Sequence, residues 1–296
     1  MYEFVIGAIF KNESHIIKEW LEHYFYHGVD HIYLINDNSS DNFMDILLPF
    51  INKNLVTLYD SKNYTIKKTD NIKYVGMQWA KYNFFFKKHF NECMWFGIFD
   101  LDEFLYSPKC INIKNILNLL KDENQICIQW IHFGSSGHIK QPENVVNNFL
   151  YRAIRNPDPE IKSIIKSDYG KQNISLRLHK HRNYSINLPE NPKEIDVGIW
   201  HKEDEETFFY KDQQYKPYDK SFYNATYNNN QGPLLLINHY RIQSLEFWKK
   251  VKMTRGDAEC WYDYLNKKRD IDEFNKLDIN EVRDTTLKEQ NKFIKN

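Results

Sequence analysis

Along the N-terminal part of the chain, apolar runs and amphipathic stretches take turns. Tyr2 to Phe10 is almost wholly apolar and predicts a buried strand. Lys11 to Ser14 is a polar break, with Asn12 or Ser14 suited to cap the next element. From His15 to His27 the apolar residues Ile16, Ile17, Trp20, Leu21 and Tyr24 recur at helical spacing, and Gly28 predicts the residue that ends that helix. His31 to Ile35 predicts a second strand, Phe43 to Ile51 a second helix and Leu55 to Tyr59 a third strand, with Asp41 as the expected cap of the second helix. Strands alternating with helices predict an α/β fold: a mainly parallel sheet with right-handed crossovers and helices on its faces.

The pattern continues less evenly. Ser61 to Tyr74 is polar and long for a connection, and Val75 to Phe90 predicts a helix. A short helix is expected over Ile113 to Leu120 and a buried strand over Ile126 to Ile131, followed by a glycine-rich loop from His132 to His138. Val145 to Arg155 and Ile161 to Leu178 contain strand-like pieces, and Asn183 to Gln231 is the least regular stretch. Leu234 to Ile237 predicts a last buried strand, ending in Asn238-His239-Tyr240. Beyond it the period is helical: Ser244 suits the N-cap of Leu245 to Met253, Asp257 that of Ala258 to Asn266, and the charged tail from Asp270 reads as an appendage. These shifts divide the chain into a domain over 1–243 and a helical segment over 244–296 packed on the same body.

The stretch Trp95 to Tyr106 (WFGIFDLDEFLY) organises the candidate chemistry. An apolar run from Met94 to Phe99 ends in Asp100, Asp102 and Glu103. Carboxylates at the exit of a buried strand are costly unless something pairs with them. In open α/β sheets ligands bind at the carboxyl ends of strands. Two acids two residues apart would share one face of a strict strand, which suits a hard divalent cation. Lys11 to Glu13, Asn36 to Asp41, His132 to His138 and Asn238 to Tyr240 fall at other strand exits and would join the same crevice.

Composition narrows the classes. Hydrophobic residues at 42% exclude disorder, and 296 residues allow a large core. Lys plus Arg and Asp plus Glu both number 40, so no basic field points to nucleic acid. Cys93, Cys110, Cys127 and Cys260 form no CxxC pair, which argues against a zinc cluster or dithiol chemistry. No apolar stretch reaches the roughly 18 residues of a membrane helix. No GxGxxG or GxxxxGK[ST] is present, and GSSG lacks the spacing of a nucleophile elbow.

Taken together and in order, KNE, EW, H-x-G-V-D-H-I, NDNSSD, FDLDEF, W-x-H-F-G-S-S-G, NHY-x-x-x-S and RG resemble the family-92 glycosyltransferases, over nearly the whole chain from Lys11 to about Asp284. That family (DUF23-related) is akin to the large family-2 group and has a GT-A fold, a Rossmann-like, mainly parallel mixed sheet. The resemblance implies an inverting, metal-dependent hexosyltransferase, with a nucleotide-sugar donor, a UDP-sugar first, and a glycan or other hydroxyl acceptor. It places Lys11, Asn12 and Glu13 at the nucleotide pocket and Asp37 on the uracil ring. Gln78 and Asn83 lie near the donor. Asp100 and Asp102 are the D-x-D pair on the cation and diphosphate, with His239 as a third metal ligand. Lys250, Lys252 and Arg255 are candidates to neutralise the diphosphate. Trp130 and the 132–138 loop face the transferred sugar and acceptor. Oxygen ligands with one imidazole favour Mn²⁺, with Mg²⁺ as a substitute.

The general base stays open: Glu143 and Asp257 are the leading candidates, with Glu103 and Asp196 also in view. Two other functions remain: a catalytically inactive carbohydrate-binding protein of the same fold, and a sugar nucleotidyltransferase, which would carry a glycine-rich basic loop where Lys11-Asn12-Glu13 stands. Family members of animal secretory pathways have a membrane anchor and a stem. The sequence shows neither, so a cytoplasmic location is expected.

Overall fold

The computed structural model describes residues 1–61, 65–67, 77–154, 161–171, 174–175, 182–183, 194–196, 223–224, 233–255 and 269–294. Asp257, the helix expected over Ala258 to Asn266, and most of Ser61 to Tyr74 and of Asn183 to Gln231 lie outside the described residues.

Eight strands form the main sheet. In chain order they are β1 (Tyr2–Phe10), β2 (His31–Asn36), β3 (Val56–Asp60), β4 (Cys93–Ile98), β5 (Glu103–Tyr106), β6 (Gln125–His132), β7 (Ile161–Lys166) and β8 (Leu236–His239). Their order across the sheet is β3-β2-β1-β4-β7-β6-β8-β5, and the short strand Tyr223–Asn224 also pairs with β6. The β3-β2-β1-β4 half is parallel throughout. β7 is antiparallel to both of its neighbours, β4 and β6, and β5 is antiparallel to β8. The carboxyl ends of β1, β2, β3, β4, β6 and β8 therefore share one edge with the amino ends of β5 and β7.

Alternation within β1 shows how the sheet sits in the core. Phe4, Ile6, Ala8 and Phe10 face one apolar cluster, and Val5 and Ile9 face another. The first cluster takes the buried face of helix α1 (Ser14–Tyr26), through Ile16, Ile17, Trp20, Leu21 and Tyr24, together with Phe43 and Leu47 of helix α2 (Phe43–Asn52). The second takes Tyr82, Phe85 and Phe86 of helix α3 (Met77–Phe86). Gly7 in β1 has no side chain because the Phe86 ring lies 2.5 Å from where a Cβ would be.

Several local expectations change. The helix expected from Val75 to Phe90 is α helical over Met77–Phe86 and tightens to 3₁₀ over Lys87–Asn91. Asp41 does not cap α2, whose N-cap is Asn42; its Oδ2 accepts the backbone N–H of Ser14 at 2.8 Å, across the loops, at the start of α1. Neither Asn12 nor Ser14 caps α1, whose N-cap is Glu13 acting through its carbonyl. Val145 to Arg155 holds a short helix, Val145–Asn148, before a two-residue strand, Tyr151–Arg152, that pairs with Val282–Arg283 of the tail. Gly28 ends α1 at φ +99°, and the Ser244 hydroxyl accepts the Phe247 N–H, both as expected.

Candidate functional site

The three acids of FDLDEF lie where β4 turns back into β5. β4 ends at Ile98, and the Glu103 N–H donates to the Asp100 carbonyl at 3.0 Å, closing a tight turn. Asp100 and Asp102 are therefore not two positions of one strand. The turn sends their carboxylates to different partners, which corrects the shared face expected from their spacing.

Asp100 looks toward β7 and α3. Its Oδ2 accepts from the Lys162 ammonium at 2.8 Å, and its Oδ1 accepts from Gln78 Nε2 at 3.2 Å. Lys162 is also 3.3 Å from Glu103, and neither side chain is more than 1% exposed. Glu103 Oε2 accepts the Asp100 backbone N–H at 2.9 Å. Burial works to lower the Lys162 pKa, but Asp100 and Glu103 outweigh it and hold the ammonium charged. Burial pushes the Glu103 carboxyl well above the usual carboxylate range, Asp100 and Asp102 push the same way, and Lys162 only partly offsets them. Lys162 lies within ion-pair distance of both acids and nearer to Asp100.

Asp102 looks toward β8 and the C-terminal helical segment. His239 Nε2 lies 3.5 Å from its Oδ1, and the Lys252 ammonium donates to its Oδ2 at 3.2 Å. Burial raises the Asp102 pKa, yet Lys252 and His239 outweigh it and hold the carboxylate well below its usual range. Burial keeps the His239 imidazole below its ordinary value although Asp102 pulls upward. No group of three His, Cys, Asp or Glu side chains with metal-holding geometry occurs among the described residues. Among the described residues, the carboxylate and imidazole that could share a cation are thus Asp102 and His239, and Asp100 is turned to Lys162.

Lys252 reaches Asp102 from a π-helical turn, Trp248–Lys252, between Leu245–Phe247 and Met253–Arg255. Such wide turns are frequent at functional sites. Lys250 points instead to Glu246 and to solvent, so of the two lysines Lys252 is the one at the acids. Arg255 ends the segment, and its side chain lies outside the described residues.

Asp37 sits at the exit of β2. Its Oδ1 accepts from the Ser61 hydroxyl at 3.0 Å and pairs with the Lys81 ammonium, which is buried on α3. The loops after β1 and β2 are tied together: the Asn12 N–H donates to Ser39 Oγ at 3.0 Å, and Asn12 Oδ1 accepts the Ser40 N–H at 2.8 Å. Asn12 thus shapes the loop with its side chain, Glu13 is buried and Lys11 is exposed. Gln78 reaches the site directly, and Asn83 is buried on the same helix.

The glycine-rich loop is held from behind. The Ser135 N–H and hydroxyl both donate to Asp278, and the Ser136 N–H donates to Asn280. Its serines brace the C-terminal segment. Trp130 and His132 at the end of β6 do neighbour His239, with ring centroids 4.3 and 5.2 Å away. Glu143 is exposed on the following loop, Glu103 is sealed inside, and only the backbone of Asp196 is described. Lys162 and Lys81 were not legible as site residues. The available signal was physical: a lysine inside the apolar run IKSIIK, and one between Ala80 and Tyr82, each needs a buried acid.

The sequence profile of glycosyltransferase family 92 matches residues 4–250. The chain belongs to that family. A family-92 glycosyltransferase protein of Oryza sativa subsp. japonica is 21% identical over 82% of this chain and 34% of its own length. One of Arabidopsis thaliana is 23% identical over 78% of this chain and 40% of its own. The chain thus spans about a third to two-fifths of these family-92 relatives. Among solved structures, S. aureus TarS 1-349 aligns with 56% of this chain and 47% of its own at 14% identity and a TM-score of 0.32. No helix among the described residues of this family-92 chain is long and apolar enough to cross a membrane.

Proposed function

We propose that the chain transfers a glycosyl group from a UDP-sugar to a hydroxyl of a glycan or other acceptor, with inversion at the anomeric carbon. The acceptor oxygen forms the new bond to that carbon, the bond to the diphosphate breaks, and its electron pair leaves with the diphosphate. Lys252 neutralises that leaving group from the π-helical turn, exchanging Asp102 for phosphate oxygens. Asp37, fixed by Lys81 and Ser61, accepts an N–H of the base. Asp100, fixed by Lys162 and Gln78, lines the donor beside it. Asp102 and His239 would hold Mn²⁺, or Mg²⁺ in its place, which would supply positive charge to the diphosphate. A carboxylate takes the acceptor proton, and Glu143 and Asp257 are the candidates. The domain over 1–243 carries the donor edge and the segment from 244 completes it with Lys252.

The observation that supports this reading best is the meeting of Asp102 with His239 and Lys252, which lie more than 130 positions further along the chain, at the carboxyl edge of the sheet. Thermal unfolding with UDP and Mn²⁺ tests it. Ligand at 100 times its Kd adds about 2.7 kcal/mol, or about 4–8 °C in Tm. The shift should need both ligands and vanish in Asp102→Asn. A stabilised protein that never turns over any UDP-sugar would favour a binding module, and no shift with any nucleotide would overturn the donor site.

A further inference from the structure

The two acids of D-x-D differ in what neutralises them, and the difference has a consequence for the cation. Asp102 is paired by Lys252, which among the described residues touches one acid, on a π-helical turn, at 3.2 Å. Asp100 is paired by Lys162, which is anchored to two acids, at 2.8 and 3.3 Å, and is only 1% exposed. Lys162 is on β7, a central strand bonded on both sides: its own residue pairs with Ile128 of β6, and Ile164 to Lys166 pair with β4. Its ammonium also lies 5.8 Å from the Trp130 ring. A side chain so held does not swing away when a ligand arrives.

We propose that Lys162 is a positioning residue that withholds Asp100 from the cation: a fixed ammonium takes the first acid of D-x-D, so the divalent ion has Asp102 and His239 as its ligands among the described residues and binds together with the diphosphate instead of before it. This rests on the donor reading above. A divalent ion on the Asp100 carboxylate would stand against the Lys162 charge, which cannot leave. Two protein ligands are too few for an oxygen-preferring ion, which otherwise keeps water or takes phosphate oxygens. The nucleotide therefore completes the site. Cation and nucleotide favour each other's binding, and by reciprocity the same factor applies to both. Asp100, freed from metal binding, keeps its carboxylate toward the donor, one-third exposed at 32%.

Mn²⁺ binding followed by electron paramagnetic resonance of the free ion, on the intact protein, tests this without reference to turnover. The wild-type protein should bind Mn²⁺ at least about 10-fold more tightly with saturating UDP than without it, within the usual range of coupled sites. Lys162→Gln, checked by circular dichroism to be folded, should bind Mn²⁺ without nucleotide at least about 10-fold more tightly than wild type, and adding Asp100→Asn should abolish that gain. A loss of structure alone would not create affinity for a cation. Wild type binding Mn²⁺ equally with and without UDP, or a folded Lys162→Gln with unchanged nucleotide-free affinity, overturns the proposal while the donor reading stands. No Mn²⁺ binding to wild type even with UDP overturns the donor reading itself. Where Lys162→Gln does not fold, Asp100→Asn alone decides: it should leave Mn²⁺ affinity with UDP within about 3-fold of wild type, and a loss of 10-fold or more makes Asp100 a ligand and sinks the assignment.

Discussion

Trp20 donates its indole N–H to the Asp100 carbonyl at 3.0 Å, and the same N–H reaches the Glu103 carbonyl at 3.0 Å. Both ends of the acid turn thus hang from one buried side chain on α1. Trp20→Phe keeps most of the packing and removes the donor. It should cost about 1–3 kcal/mol, the range for leaving buried polar groups unpaired, and should weaken UDP binding because the turn that aims Asp100 and Asp102 is loosened. Urea unfolding and nucleotide titration measure the two effects, and unchanged UDP affinity in a destabilised variant would show that the turn does not depend on the indole.

Two of the three lysines of the π-helical turn, Lys252 and Lys250, should separate. Lys252→Met removes the charge facing Asp102 and should lower turnover by about 10²-fold, typical of a lost contact to developing charge. Lys250, with its side chain 72% exposed and paired among the described residues with Glu246, should tolerate the same change within about 0.5 kcal/mol and with little change in rate. Equal losses in steady-state rates would contradict the assignment of Lys252.

Acid should destabilise the fold through α1. Asn291 from the C-terminal helix donates to His23 Nδ1 at 3.1 Å and accepts from His27 Nε2 at 2.8 Å, and His23 Nε2 donates to the Leu105 carbonyl at 2.8 Å. Tyr24 and Phe104 close the His23 ring in. Burial lowers the pKa of both histidines, most for His23, where neighbouring His27 adds to the effect. Their folded pKa values lie below the unfolded ones, so below about pH 6.5 the unfolded chain binds more protons. Stability should then fall with pH, by about 1 kcal/mol per unit for each histidine, until the folded values are reached. Unfolding free energies between pH 7.5 and 5 should show this slope, and His27→Gln should reduce it. An identical slope in His23→Gln/His27→Gln would assign the acid sensitivity elsewhere.

Gly134 and Gly137 lie in one loop and should respond differently. A Cβ at Gly134 would sit 2.4 Å from Asn280 Oδ1 and 2.6 Å from the Ile279 carbonyl, whereas nothing lies within 4 Å of one at Gly137. Gly134→Ala should push the 278–284 segment off the loop, cost about 1–3 kcal/mol and speed proteolysis after residue 270. Gly137→Ala meets only the penalty of its φ of +77°, about 1–2 kcal/mol, with the tail still protected. Limited proteolysis of the two variants separates the cases.

The first three strands and two helices were legible because each buries a face whose period is written locally: Ile16, Ile17, Trp20, Leu21 and Tyr24 need no distant partner to be recognised as one stripe. Asp102 and His239 were legible as a pair through family resemblance, and the geometry places them 3.5 Å apart. Lys162 was not, because its partner Asp100 is 62 positions away and comes close only through an antiparallel strand inserted into a parallel sheet, which no local period announces. The bracing of the 132–138 loop was hidden for the same reason: a polar, glycine-rich strand exit does not announce that its Ser135 bonds the Asp278 carboxylate, 143 positions away.

The insertion of β7 also sets a schedule for synthesis. When β4 leaves the ribosome, β1 is there to pair with one of its edges, but the other edge must wait until residue 166 has emerged. Over that interval Trp95, Phe96 and Gly97 present unpaired backbone beside a large apolar surface, and Asp100 has no ammonium. An open, apolar strand edge is a template for other chains. A nascent chain arrested at Ile154 is therefore expected to aggregate and to recruit chaperones, and one arrested beyond Lys171, with β7 in place, to remain dispersed; light scattering of the two released fragments would distinguish them. The strand that carries Lys162 would then protect the half-made sheet before it serves the finished site.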